Sequence, residues 1–326
     1  MCILFERLCG YDEAARRVST FDRYRDFSLV TKGFWMQRVL ITGANSGIGR
    51  ATALHLAGKG YTVYAAMRDL AKAKKLLELA ASAGAEVHPV RLDVNDDASV
   101  REAVAEIQGS GGPVDVMINN AGIAFNAAVE DVDIDQGRAV FETNYWGIIR
   151  CVQAVLPGMR EQGSGHIVNV SSVAGRIAAL GQVVYSSSKW AVECLSENLA
   201  QEVAPFGIRV SIIEPGVTRT AILPKNVGHP EPTVYGDAYR RMLLFYASGI
   251  AANVQAEEVA TVIQGALEDP EPKLRYPCAW GGDELCEGRA RIPDEAWVAL
   301  GKCETDEAYF DAFEKVFRLD IRPPSE

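Results

Sequence analysis

The stretch Val39-Leu40-Ile41-Thr42-Gly43-Ala44-Asn45-Ser46-Gly47-Ile48-Gly49-Arg50 decides the fold. Its first three residues are a β-type apolar run, and 50–59 behind it reads as a helix. Strand, glycine-rich turn and helix in that order form a unit suited to a nucleotide. Glycines in the turn let the backbone bend sharply and let a phosphate approach without Cβ interference. The helix start adds unpaired N–H groups and a positive dipole end, which favour a pyrophosphate. Gly43, Asn45, Ser46, Gly47, Ile48 and Gly49 are therefore candidate cofactor contacts. The spacing is GxxxGxG, not the GxGxxG of the widespread dinucleotide fingerprint. No Lys-Ser or Lys-Thr follows, which excludes a Walker A loop.

Outward from this unit, short apolar runs at 62–66, 87–92, 114–118, 166–170, 209–213 and 274–278 read as further strands. They are apolar almost throughout, as parallel strands covered on both faces should be. Between them, 50–59, 70–83, 97–108, 136–162, 183–204 and 257–267 read as helices. The alternation predicts an α/β fold: a doubly wound parallel sheet of the Rossmann type, about seven strands, with helices on both faces. The two ends depart from this pattern. Residues 1–35 lack strand periodicity, and Met36 stands directly before the first strand, so they read as a non-essential N-terminal extension. Residues 36–280 form the expected catalytic domain, with 221–255, helical at 239–246, as an apolar lid or, in the other reading of its Met and aromatic residues, simple core. Residues 281–326, helical at 306–317, read as a C-terminal cover.

Composition narrows the function. Of 326 residues, 48% are hydrophobic and 23% charged, as in a globular chain. Lys and Arg number 33 against 43 Asp and Glu, a net charge of -10 that argues against nucleic-acid binding. No stretch approaches the ~20 apolar residues that span a bilayer, and Glu6 and Arg7 cut the apolar start too short for a signal peptide. Seven cysteines without a CxxC predict neither a disulfide scaffold nor a zinc site. The four histidines form no HExxH, so no metal is expected. A cytoplasmic protein without a transmembrane segment is the expectation.

Tyr185-Ser186-Ser187-Ser188-Lys189 is the second chemical signal. A four-residue step on a helix puts Tyr and Lys on one face. A free phenol has a pKa of ~10, too high for a good base near neutrality. An adjacent ammonium favours the phenolate and lowers it.

With Asn119-Asn120-Ala121-Gly122, Val170-Ser171-Ser172 and Pro215-Gly216 after the fourth, fifth and sixth strands, these motifs resemble the single-domain branch of the short-chain dehydrogenases/reductases. The resemblance runs from Arg38 to Tyr276. It implies that Tyr185 is the general acid/base on the substrate oxygen, and that Lys189 lowers its pKa and holds the nicotinamide ribose. Ser172, thirteen residues before Tyr185, would hydrogen-bond the substrate oxygen, with Ser171 as the competing choice. Asn144 would position the lysine and a proton-relay water; its other reading is a capping or packing asparagine. Asn120, Ala121 and Gly122 would border the adenosine ribose. Asp93, followed by Val94, would meet the adenine amino group. Pro215, Gly216, Val217 and Thr220 would lie on the carboxamide side of the nicotinamide.

The family's NAD-type acid falls at Met67, where it is absent, and Arg68 falls where an NADP-type basic residue sits. Arginine attracts a 2′-phosphate that an acid would repel. Asp69 complicates this but lies one residue further on, toward solvent or the next helix. NADP(H) is the expected cofactor, with NAD(H) as the alternative. Tyr64-Ala65-Ala66-Met67-Arg68-Asp69, Asn144-Tyr145-Trp146-Gly147 and 273–276 look like the 17β-hydroxysteroid dehydrogenase-like subgroup. That resemblance implies a secondary alcohol or ketone on a hydrophobic, steroid-like substrate. The alternatives are a retinol or other carbonyl reductase of the same family, or a non-catalytic cofactor-binding protein. The family also implies a homodimer or homotetramer built on 136–162 and 183–204, where Trp146, Cys151, Trp190 and Cys194 are core or interface.

Overall fold

β1 (Arg38–Thr42) lies inside the sheet because its side chains are apolar in both directions: Val39, Leu40 and Ile41 are fully buried. Val39 and Ile41 face one side with Val63 and Ala65. Leu40 faces the other with Met117 and Ile167, the period-2 alternation of a strand covered twice. The computed structural model describes residues 37–220 and 234–322. The extension at 1–35 and the lid residues Ile222, Leu223 and Val227 lie outside the described residues.

β2 (Thr62–Met67), β3 (Val87–Arg91), β4 (Val116–Asn119), β5 (Gly165–Val170), β6 (Ile208–Pro215) and β7 (Arg275–Cys278) complete a seven-stranded sheet of order β3-β2-β1-β4-β5-β6-β7. All neighbours run parallel. The strand order reverses between β1 and β4, which opens a crevice beyond the carboxyl ends of those strands. On one face, α1 (Gly47–Gly58) and α8 (Ala256–Glu268) bury Leu56, Val259 and Ile263. On the other, α3 (Asp97–Gly109), α5 (Gly147–Gln162) and α6 (Val183–Val203) bury Val104, Val155 and Val192.

Two helices read as continuous are not. The segment at 136–162 is α4 (Ile134–Phe141) joined to α5 through a π turn, Glu142–Trp146. Asn144 sits in that wider turn with its side chain hydrogen-bonded inward. The segment at 70–83 begins as a 3₁₀ turn, Leu70–Ala73, before α2 (Lys74–Ser82), because the Asp69 carboxylate caps it by accepting from Ala71 N. The helix expected at 239–246 is longer, α7 (Gly236–Ala251).

After β7, α9 (Gly282–Arg291), α10 (Asp294–Leu300) and α11 (Asp306–Phe317) enclose an apolar cluster around Leu285, Phe310, Phe313 and Phe317. Val173 and Ile177, from the chain that follows β5, complete it. This packing brings the C-terminal helices beside the crevice. Among the described residues, no helix is long and apolar enough to cross a membrane.

Candidate active site

The carboxyl ends of the strands open into a cavity of about 490 Å³. At one end, Gly43, Asn45, Ser46, Gly47 and Ile48 line it. Gly43 has φ +67°, a conformation that favours glycine. Gly49 does not line the cavity. A Cβ there would overlap Asn120 Nδ2 and the Gly43 carbonyl, so its place is to let the first helix and the loop after β4 close on the glycine turn. Thr42 Oγ1 accepts from Asn120 N and Ala121 N, both at 3.0 Å, and Asn120 Nδ2 donates to the Thr42 carbonyl at 2.8 Å. The two loops are thereby stapled together, with Asn120, Ala121 and Gly122 on the wall.

Leu92, Asp93 and Val94 form the adjoining wall, with Asp93 Oδ1 accepting from Asn95 N at 3.0 Å. Met67, Arg68 and Lys72 follow it. Lys72, in the 3₁₀ turn Leu70–Ala73, is a second cation lining the cavity with Arg68 that sequence reading missed. Asp69 does not line the cavity; its carboxylate is the cap of the 3₁₀ turn. Pro215, Gly216, Val217 and Thr220 also line the cavity, with Thr220 packed against Gly47.

Ser172, Tyr185 and Lys189 share the middle of the cavity. Lys189 Nζ donates to the Val170 carbonyl at 2.9 Å and lies 5.7 Å from the Tyr185 ring centre. Burial lowers the lysine to about 8, against the opposing pull of Glu193. The spacing predicts a Tyr185 phenol lowered by Lys189, and burial acts in the opposite direction. Burial pushes the phenol above the ordinary value, and the Ser172 hydroxyl draws it only partly back. The ammonium does not dominate because it is turned toward the Val170 carbonyl. Ser172 Oγ also donates to the Pro215 carbonyl at 3.3 Å and accepts from Ala174 N at 3.1 Å. Ser171, its rival, is buried on the same wall near Glu193.

Asn144 is not on the cavity wall. It is 1% exposed, and its amide clamps Ile123 through both N–H and carbonyl at 2.9 Å and reaches Ser188 Oγ at 3.0 Å. Its side chain thus ties the loop after β4 to α6 one residue before Lys189, without touching the lysine itself. Behind Lys189 lies a buried ionic group that sequence reading missed. Arg275 Nε donates to Glu193 at 2.9 Å and lies 3.5 Å from Glu214, which also accepts from Arg176 at 2.9 Å. It joins α6 to β7, to β6 and to the turn after Ser172. An acid inside the apolar run Ile212-Ile213-Glu214-Pro215 was the available sign.

Toward the C-terminal helices the wall becomes apolar, with Ile177, Ala179 and Phe245, and Tyr246 reaches in beside Phe245. Burial, with Tyr185 nearby, pushes the Tyr246 phenol well up, so it is a neutral hydroxyl. Glycine cradle, exposed cations and a buried Tyr-Lys-Ser group fit a bound NAD(P) nucleotide. The glycine turn would hold its pyrophosphate, and Arg68 and Lys72 line the same cavity.

Comparison with known proteins agrees with this geometry. The short chain dehydrogenase family matches residues 37–230. Oxidoreductase BOA17 of Botryotinia fuckeliana is 40% identical over 269 residues, 80% of this chain and 96% of that protein. Human 17-beta-hydroxysteroid dehydrogenase type 1 is 37% identical over 255 residues, 73% of this chain and 76% of that one. The crystal structure of a short-chain dehydrogenase from Streptomyces avermitilis superposes with a TM-score of 0.71 at 32% identity, covering 83% of this chain and 96% of that one. The chain is an oxidoreductase and belongs to the short-chain dehydrogenase/reductase family.

Proposed function

We propose that this enzyme uses NADP(H) to interconvert a secondary alcohol and a ketone on a hydrophobic, steroid-like substrate of the 17β-hydroxysteroid/17-ketosteroid class. The observation that carries this reading is the position of Tyr185, Ser172 and Lys189 between a glycine-lined phosphate cradle and an apolar wall. Bound NADP(H) supplies or accepts the hydride. Tyr185 holds the proton that the substrate oxygen gains or loses. Its raised phenol is well suited to give a proton to a developing alkoxide. Ser172 fixes that oxygen by hydrogen bonding. Lys189 presents a charge that neutralises as pH rises through about 8. Asn144 is a positioning residue, acting through Ile123 and Ser188.

Arg68 and Lys72 support NADP(H) over NAD(H), and the occupied Asp69 carboxylate removes the main objection. The reading includes a catalytic domain at 36–280 with the C-terminal helices as its cover, and a cytoplasmic location. It also includes a homodimer or homotetramer through α5 and α6. Cys151 is core there, whereas Trp146 and Trp190, each 49% exposed, are available for that contact.

The test is NADPH consumption against 17-ketosteroids, retinals and small ketones, with Tyr185→Phe alongside. Turnover of the ketosteroids by the wild type alone is expected. Turnover confined to retinals or small ketones would move the substrate class. Equal rates in both proteins would overturn the role of Tyr185.

A further inference from the structure

A second cavity of about 170 Å³ lies between 177–182, α7, α10 and α11. It shares Ile177, Ala179, Gln182 and Phe245 with the catalytic cavity, so the same side chains wall both. Its far wall is mostly apolar, with Met242, Trp297, Leu300 and Phe313. Apolar cavities of ~150 Å³ take a benzene-sized group, which sets the scale of what fits.

One charged group interrupts that wall. Arg241 is 5% exposed. Its Nε donates to Asp306 at 3.1 Å, one terminal nitrogen donates to the Cys303 carbonyl at 2.7 Å, and the guanidinium lies 4.8 Å from the Tyr309 ring centre. The other terminal nitrogen, Nη1, has no hydrogen-bond partner among the described residues. Nη1 is not among the fully buried polar atoms, so on this cavity-lining residue it is a donor a ligand can reach, and a guanidinium presents its donors in a fixed fork. At the junction, the Gln182 side chain is buried and also makes no hydrogen bond among the described residues, so a chain crossing there meets an amide rather than an apolar seal.

We propose that this second cavity is the distal part of the substrate site, and that Arg241 Nη1 donates to an oxygen at the far end of the substrate. The proposal rests on the functional reading above and extends it. The substrate is then bifunctional: a secondary alcohol or ketone at Tyr185, an apolar body passing Ile177 and Phe245, and an oxygen at Arg241. A hydroxyl and a carboxylate both offer that acceptor.

The experiment compares methyl ketones of increasing length that end in a methyl, a hydroxyl or a carboxylate. The wild type is expected to favour an oxygen-terminated ketone of matching length by at least about tenfold in kcat/KM over its methyl-terminated counterpart. Arg241→Met should collapse that ratio. Its fold is protected because Arg240 keeps Asp306 through bonds of 2.8 and 2.9 Å. Val298→Trp, at the exposed rim of the second cavity, should disfavour long ketones relative to short ones. The hydroxyl and carboxylate arms tell which terminus is preferred. An oxygen preference unchanged by Arg241→Met, or no preference at all, overturns the proposal. Should no ketone be turned over, the functional reading fails separately, and binding still decides this one. Trp297 emission, identified against Trp297→Phe, should titrate with the oxygen-terminated ketone and lose that response in Arg241→Met. A flat titration contradicts it.

Discussion

At the nucleotide end of the cavity the wall is largely backbone, whereas at the substrate end it is side chain. The glycine turn and the Pro215-Gly216 turn are fixed by main-chain hydrogen bonds to neighbouring strands, and the Asn120-Ala121-Gly122 loop by bonds between Thr42 and Asn120-Ala121 that use the Thr42 hydroxyl and the Asn120 amide. Ile177, Phe245, Trp297 and Phe313 come from a loop and three helices far apart in the chain, held by apolar packing. Backbone cradles accept few sequences, because a Cβ at a place such as Gly49 has nowhere to go. Packed walls tolerate exchange among residues of similar volume. One end can therefore stay constant while the other is retuned for a different ligand.

Substitutions can break or sharpen that contrast. The largest effect belongs to the seam between the ends. Tyr185→Phe should cut kcat by roughly 10²–10⁴-fold while NADPH binding, read by nucleotide fluorescence, is kept. At the nucleotide end, Arg68→Ala should weaken NADPH by about 10–100-fold and leave NADH little changed, since a charge-assisted hydrogen bond is worth ~1.5–3 kcal/mol. Equal losses for both nucleotides would place Arg68 away from the 2′-phosphate.

The sheet beneath both ends carries its own pH signature. His166 on β5 is 3% exposed, its Nε2 lies 2.9 Å from Ser211 Oγ, and burial lowers it from 6.5 to about 3. The unfolded chain takes up that proton at higher pH than the folded one does. Stability from this site is therefore whole above pH ~6.5 and falls on acidification toward about 3, by at most ~1.4 kcal/mol per pH unit. Urea unfolding of His166→Gln should show a flatter acid limb than the wild type; parallel limbs would remove His166 from the account. The smallest effect is at Asp69. Asp69→Ala should cost about 1 kcal/mol as a lost cap and leave the NADPH/NADH ratio unchanged. A shift in that ratio would return Asp69 to the nucleotide site.

The same contrast explains how much could be read from the amino acids. The parallel sheet and its seven strands followed from apolar runs, and the glycine turn and the Tyr185–Lys189 step are local patterns. Each depends on residues close together in the chain. The π turn at Asn144 was hidden because helix periodicity barely changes over one wider turn. The burial of Tyr185 was not legible, because spacing reports a neighbouring charge but not burial. Arg275 and Arg176 were invisible as partners of Glu193 and Glu214, since they meet only through the sheet. The substrate wall was least legible, because Phe245 and Trp297 become neighbours of one space only after the C-terminal helices dock.

The most direct test of the central claim is isotope transfer. The enzyme is incubated with NADPH carrying deuterium at both nicotinamide C4 positions and a 17-ketosteroid, and the alcohol product is analysed by mass spectrometry. Deuterium on the carbinol carbon in the wild type, formed at least about 10²-fold more slowly by Tyr185→Phe, is the predicted result. NADPH binding without deuterated alcohol from that ketone would contradict the claim.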